Sequence, residues 1–167
     1  MSSIFTCVLA VVAFLAPHLE DKTFKEITWR QYTRIIVRES RRHHIDPLLV
    51  TAIIHTETAR SWRASVRSPT HDFGLMQVHV SKNSHPHLLG FEEVLFDPAT
   101  NVRYGVQTLA MWKKYHVQNC DDSKHPFWSH YQWGYRVRSL AWTEKVSDLY
   151  NDLINRFGRH IRPLSSI

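Results

Sequence analysis

Ile45-Asp46-Pro47-Leu48-Leu49-Val50-Thr51-Ala52-Ile53-Ile54-His55-Thr56-Glu57 is the stretch on which the reading of this chain turns. Asp46-Pro47 is a helix start: an Asp side chain accepts from free first-turn N–H groups, and Pro, lacking an N–H, suits the first helical position. Leu49, Val50, Ile53 and Ile54 then fall at i, i+1, i+4 and i+5, the spacing of a helix with a buried side. Glu57 follows four residues after Ile53 and eight after Leu49, so it prolongs the apolar stripe. A carboxyl there is partly desolvated, which disfavours its charged form and raises its pKa. If it keeps its proton near neutral pH, it can act as a general acid. The alternative is a helix end that turns Glu57 to solvent beside Arg60.

Working outward, Thr23-Phe24-Lys25-Glu26 has the form of a capping box and predicts a helix through Ile27, Ile35, Ile36 and Glu39. Its basic end, Arg41-Arg42-His43-His44, suits the helix dipole. Residues 60–90 lose periodicity and read as a long loop with a small β turn near Gly74. Asp97-Pro98 repeats the helix-start signal, followed by Val102, Val106, Leu109 and Ala110 towards Lys113 and Lys114. A polar connection, Gln118 to Pro126, leads to the aromatic stretch Phe127–Tyr135. The last helix is spelled by Val146, Leu149, Tyr150, Leu153 and Phe157, with Gly158 as its cap. These elements predict one mainly α domain over residues 24–160, with at most a small β element, and a tail at 161–167.

The composition agrees. In 167 residues, 43% are hydrophobic and 22% charged, enough apolar content to build a core in a single domain. Five Gly and seven Pro are too few for a turn-rich all-β fold. The net charge of +6 points to an anionic partner. Lys and Arg are dispersed, however, which argues against nucleic acid. Two Cys, Cys7 and Cys120, exclude a disulfide framework and a four-Cys zinc site. The twelve His, among them His43-His44 and His85-Pro86-His87, lack the i, i+4 spacing of a zincin and read as scattered surface residues. No metal and no cofactor is expected. Ile4–Ala16 is an uncharged apolar run, shorter than the roughly 20 residues that span a bilayer. Residues 1–17 therefore read as a signal peptide, or else as a buried or membrane-anchoring N-terminal helix.

Four blocks, in order, carry a resemblance. The first is Ile45–Glu57. The second is Ser68-Pro69-Thr70-His71-Asp72-Phe73-Gly74-Leu75-Met76-Gln77-Val78, and the third is Leu95-Phe96-Asp97-Pro98-Ala99-Thr100-Asn101-Val102-Arg103-Tyr104-Gly105-Val106. The fourth is Tyr131-Gln132-Trp133-Gly134. Together they resemble the lytic transglycosylase and goose-type lysozyme superfamily: a helix ending in Glu-Ser, then Gly-Leu-Met-Gln, Asp-Pro-x-x-Asn and Tyr-Asn-x-Gly.

The resemblance implies a lysozyme-like helical fold, a peptidoglycan substrate, a monomer, and a place in the periplasm or cell envelope. It implies that Glu57 is the catalytic acid at the bond between N-acetylmuramic acid and N-acetylglucosamine. The same residue then acts as base on the muramoyl C6 hydroxyl, closing a 1,6-anhydro ring. Thr58, standing for the family's Ser, is a substrate contact, Met76 and Gln77 line the sugar groove, and the Tyr131 hydroxyl orients the carboxyl and faces the substrate. Gln132, also a substrate contact, replaces the family's Asn with one more methylene. Trp142 stands where relatives have a Tyr, so a second active-site hydroxyl is expected to be missing. Asp72 is the candidate second carboxylate, which would permit hydrolysis, but a loop Asp there more often serves a turn. The reading is therefore one catalytic carboxylate, the alternatives being a hydrolytic muramidase and an inactive peptidoglycan-binding module. Trp62, Trp128 and Trp133 are candidates to stack on sugar, and His55 and His71 to flank the groove.

Overall fold

The structure, a computed structural model, describes residues 3–17, 28–120 and 124–158. Along these the order is α1 (Ser3–Leu15), α2 (Trp29–His43), α3 (Pro47–Glu57), β1 (Asp72–Phe73), β2 (Val78–His79), α4 (Pro98–Asn119), α5 (Ser129–Trp133) and α6 (Ala141–Phe157). Short 3₁₀ turns at Pro86–Leu88 and Glu92–Phe96 connect β2 to α4. The fold is mainly α with one two-stranded element, as the sequence predicts.

Helix α3 starts where Asp46-Pro47 places it. The Asp46 carboxylate accepts from the Leu48 N–H at 2.8 Å, and its other oxygen accepts from the Tyr150 hydroxyl at 2.9 Å, tying α3 to α6. Every residue from Pro47 to Ile54 is buried, because α1, α2 and α6 all pack on this helix. The expected single stripe is thus a helix interior on all sides, and Glu57 is its last residue.

The capping box read at Thr23–Glu26 lies outside the described residues. Helix α2 opens on a box of its own, formed by Thr28 and Gln31: the Gln31 N–H donates to Thr28 Oγ1 at 3.4 Å and the Thr28 N–H to Gln31 Oε1 at 2.7 Å. Arg41, Arg42 and His43 occupy the last turn, as expected. The apolar run at the N-terminus forms α1, which buries Cys7, Val8, Val11 and Val12 against its neighbours α2, α3 and α6. Among the described residues, no helix is long and apolar enough to cross a membrane. The Trp29 indole N–H donates to the Ala16 carbonyl at 2.9 Å, joining the end of α1 to the start of α2.

The β turn near Gly74 is present: Phe73 pairs with Val78 and Asp72 with His79, antiparallel. What holds it on the helices is Asn101, fully buried in the first turns of α4. Asn101 Oδ1 accepts from the Met76 N–H at 2.8 Å, while its Nδ2 donates to the carbonyls of Phe73 at 2.7 Å and Leu95 at 3.0 Å. Gly74 lies against this amide with φ +75°, so a Cβ there would run into Asn101 and the Leu95 carbonyl. One helical turn further, a Cβ on Gly105 would come within 2.5 Å of Met76 Sδ. The absence of side chains at Gly74 and Gly105 lets the turn sit directly on α4.

Replacing Asn101 by Leu, close in volume, strands one buried N–H and two buried carbonyls. At about 1 kcal/mol or more for each stranded group, the loss is expected to be at least about 3 kcal/mol. Urea denaturation measures it, and a loss below about 1 kcal/mol would contradict this account of the turn.

Candidate functional site

Glu57 emerges from the end of α3 into a cleft of about 750 Å³. Ser68, Thr70, Asp72, Gln77, Val78 and His79 form the hairpin wall, and Tyr131 to Tyr135 form the opposite one. Asn83, Ser84, His85 and the α4 residues Thr108, Met111 and Trp112 complete it. Burial is the main reason the Glu57 pKa rises, from the usual 4.5 to about 8. The negative charge of Asp72 pushes it the same way, while the indole N–H of Trp142 opposes both by favouring the charged form. That N–H sits beside the carboxyl without closing a full hydrogen bond: Trp142 Nε1 is buried and has no hydrogen-bond partner among the described residues.

The turn after Glu57 is shaped by Thr58, which the sequence placed among the substrate contacts. Thr58 is buried instead, and its hydroxyl donates to the Ile54 carbonyl at 2.7 Å and accepts from the Trp62 N–H at 3.2 Å. It ends the helix and faces away from the cleft. Ala59, Arg60 and Trp62 take left-handed φ values of 46°, 69° and 54°, and Gln77 on the hairpin takes 47°. Non-glycine residues adopt such angles only where surrounding contacts hold them, and such strain tends to collect at functional sites.

Asp72 faces the same cleft in a different setting. One carboxylate oxygen accepts from the Ser68 and Thr70 hydroxyls, and the other accepts from His79 Nδ1 at 2.8 Å. Met76 was expected in the groove, but its side chain is fully buried on Gly105 and only its backbone serves the site. Gln77 does line the cleft. Its amide nitrogen donates to the carbonyls of Gly74 at 2.8 Å and Val66 at 3.3 Å, which leaves Oε1 to accept from a ligand. The Tyr131 hydroxyl donates to the Met76 carbonyl at 2.8 Å, in place of the expected bond to the carboxyl. Burial, followed by the charges of Glu57 and Asp72, raises the Tyr131 pKa well above the usual phenol value, and all three residues line the cleft. Gln132 is exposed on the cleft wall.

Of the aromatic candidates, Trp133 lines the cleft, whereas Trp62 is buried behind it and Trp128 donates to Ser147 Oγ. His55 supports Trp62, accepting its indole N–H at 3.2 Å, and His71 stays outside the cleft lining. The reading of all histidines as surface residues also fails: His116 and His130 are 1% exposed. Sequence reasoning missed Trp142, Trp112, His79 and His85. It also missed Ser68 and Thr70, although their alternation with Asp72 puts all three on one side of an extended segment. Trp142 showed only as a departure, and nothing in its neighbours reveals that it faces Glu57. Its ring stacks on Tyr131, with centroids 6.2 Å apart and planes 14° from parallel.

Against known families, residues 34–124, more than half of the chain, match the family described as the Transglycosylase SLT domain. No curated protein and no solved structure gives a significant match.

Because the folded pKa of Glu57 lies above its unfolded value, the folded state holds a proton the unfolded chain has already released. Glu57 therefore contributes fully to stability below pH 4.5, and that contribution is lost as pH rises to about 8. Glu57→Gln stays neutral throughout, so its stability relative to wild type is expected to climb between pH 4.5 and 8 and level off above. Asp72→Asn should end that climb at lower pH, and Trp142→Phe at higher pH, because the two groups act with opposite sign. Urea denaturation across the range tests this; a flat difference between wild type and Glu57→Gln would sink the assignment of a protonated Glu57.

Proposed function

The chain belongs to the transglycosylase SLT family, and from that premise we propose that it cleaves the β-1,4 bond between N-acetylmuramic acid and N-acetylglucosamine with Glu57 as its single catalytic carboxyl. Membership supports action on peptidoglycan of the lytic transglycosylase type. One observation carries the finer reading: a carboxyl whose pKa of about 8 keeps it protonated at neutral pH opens into the cleft. It donates its proton to the glycosidic oxygen as the C1–O bond breaks and positive charge develops at C1. The resulting carboxylate, steadied by the Trp142 indole N–H, then takes the proton of the muramoyl C6 hydroxyl. That oxygen bonds to C1, closing a 1,6-anhydro ring without consuming water and leaving Glu57 protonated for the next cycle. Gln77 Oε1 accepts from an N-acetyl N–H, and Trp133 offers a ring to a sugar face.

Asp72 favours the hydrolytic alternative by lying in the same cleft. Its two oxygens already accept from Ser68, Thr70 and His79, which supports a positioning and electrostatic part over attack on sugar. Peptidoglycan lies outside the cytoplasmic membrane, so the reading includes export to the periplasm or cell envelope. The packing of α1 against α2, α3 and α6 supports its retention in the working protein.

Mass spectrometry of digested peptidoglycan tests the chemistry: 1,6-anhydro ends are expected, and reducing ends would replace this mechanism with hydrolysis. Glu57→Gln is expected to lower cleavage by about 10²-fold or more, with activity of the wild type declining as pH rises past about 8. Equal clearing of cell walls by variant and wild type would overturn Glu57 as the catalytic group.

A further inference from the structure

Behind the cleft wall, the end of α4 and the start of α5 gather side chains that glycan cleavage does not use. His116 on the last turns of α4, His125 in the connection and His130 on α5 each place a ring nitrogen within 4.8 Å of the other two. His116 and His130 are buried and His125 is half-buried. His116 Nδ1 lies 3.1 Å from His130 Nε2, and Cys120 Sγ, at the C-cap of α4, lies 3.5 Å from the same nitrogen. With zinc–nitrogen bonds of about 2.0–2.1 Å and zinc–sulfur bonds of about 2.3 Å, a tetrahedral site sets two nitrogens ~3.3 Å apart and a nitrogen and sulfur ~3.6 Å apart. Both observed separations are close to these values, and they are hydrogen-bond lengths as well.

The outer contacts agree with this. His130 Nδ1 donates to the Gly134 carbonyl at 2.7 Å, which fixes the tautomer and turns the Nε2 lone pair into the cluster. His125 Nδ1 faces the Pro126 carbonyl at 3.4 Å, leaving its Nε2 free in the same way. Imidazole and thiolate donors suit zinc, whereas magnesium and calcium prefer oxygen.

We propose that His116, His125 and His130 bind one zinc ion, with Cys120 Sγ, 3.5 Å from His130 Nε2, moving in as the fourth ligand. Four protein ligands make a closed site of the structural kind, with no position left for substrate. On binding, the Cys120 thiol releases its proton to solvent and coordinates as thiolate. The ion joins the end of α4 to α5, whose next residues, Tyr131, Gln132 and Trp133, wall the cleft. Trp112 also lines the cleft and stacks on the His130 ring, with centroids 5.4 Å apart and planes 20° from parallel. The zinc thus holds the cleft wall from behind.

The test uses the full chain, stripped with chelator and titrated with zinc chloride or cobalt chloride. One zinc per chain by elemental analysis, a higher melting temperature with zinc, and a tetrahedral cobalt spectrum with a thiolate band are expected. Cys120→Ser should abolish the thiolate band. His125→Ala, at a half-buried position that tolerates truncation, should weaken zinc binding by at least about tenfold. Glu57→Gln should bind like wild type, so this outcome is independent of the proposed glycan chemistry. Failure to retain one equivalent of zinc, or equal binding by His125→Ala and wild type, would overturn the site. A tetrahedral cobalt complex lacking the thiolate band would remove Cys120 from it.

Discussion

One buried amide, that of Asn101, holds three backbone groups from two separate segments: the N–H of Met76 and the carbonyls of Phe73 and Leu95. None of them reaches water, so each would carry a desolvation penalty if left unpaired. The hairpin is only two residues long in each strand and has little pairing of its own to define it. Its place on α4 is set by this side chain and by two glycines, Gly74 and Gly105, whose missing Cβ atoms allow the contact. The arrangement continues to the carboxyl. Met76 receives Asn101 at its N–H and Tyr131 at its carbonyl, Tyr131 stacks on Trp142, and Trp142 presents its N–H beside Glu57. A path of specific contacts therefore runs from α4 through the hairpin and α5 to the residue proposed to do chemistry.

The two carboxylates of the cleft show how environment separates chemically similar groups. Glu57 leaves a helix buried on all sides, and beside it stands one indole N–H that closes no full hydrogen bond. Asp72 sits on a strand and accepts from two hydroxyls and an imidazole. Burial raises the pKa of Glu57, and the Asp72 charge adds to the rise because the two face the same space. Asp72 can thus shape the acidity of Glu57 without touching a sugar. Trp142 supplies a donor that cannot ionise, so its effect on Glu57 keeps one sign at every pH.

Local signals in the sequence were legible where the physics is local. Asp46-Pro47 and Asp97-Pro98 start α3 and α4 as read, because capping is decided within one turn. The spacing of Val146, Leu149, Tyr150 and Leu153 marks α6, because an amphipathic face repeats every 3.6 residues. Thr58 and Met76 were misplaced for a matching reason: adjacency to a site residue in sequence does not tell which way a side chain points. Thr58 ended its own helix and Met76 filled the gap over Gly105.

By itself the sequence determined α2, α3, α4 and α6, the short hairpin, the family pattern and the single carboxyl that ends an apolar helix, all of which depend on spacings of a few residues. Only the tertiary structure decided how acidic that carboxyl is: packing buries it, the hairpin brings Asp72 to it and α6 brings Trp142, both from far along the chain. The same holds for His116, His125 and His130: their sequence spacing matches no helical metal pattern, and they meet because the chain turns back between α4 and α5. Spacing specifies an element, but which atoms converge on one point is set by how the elements pack.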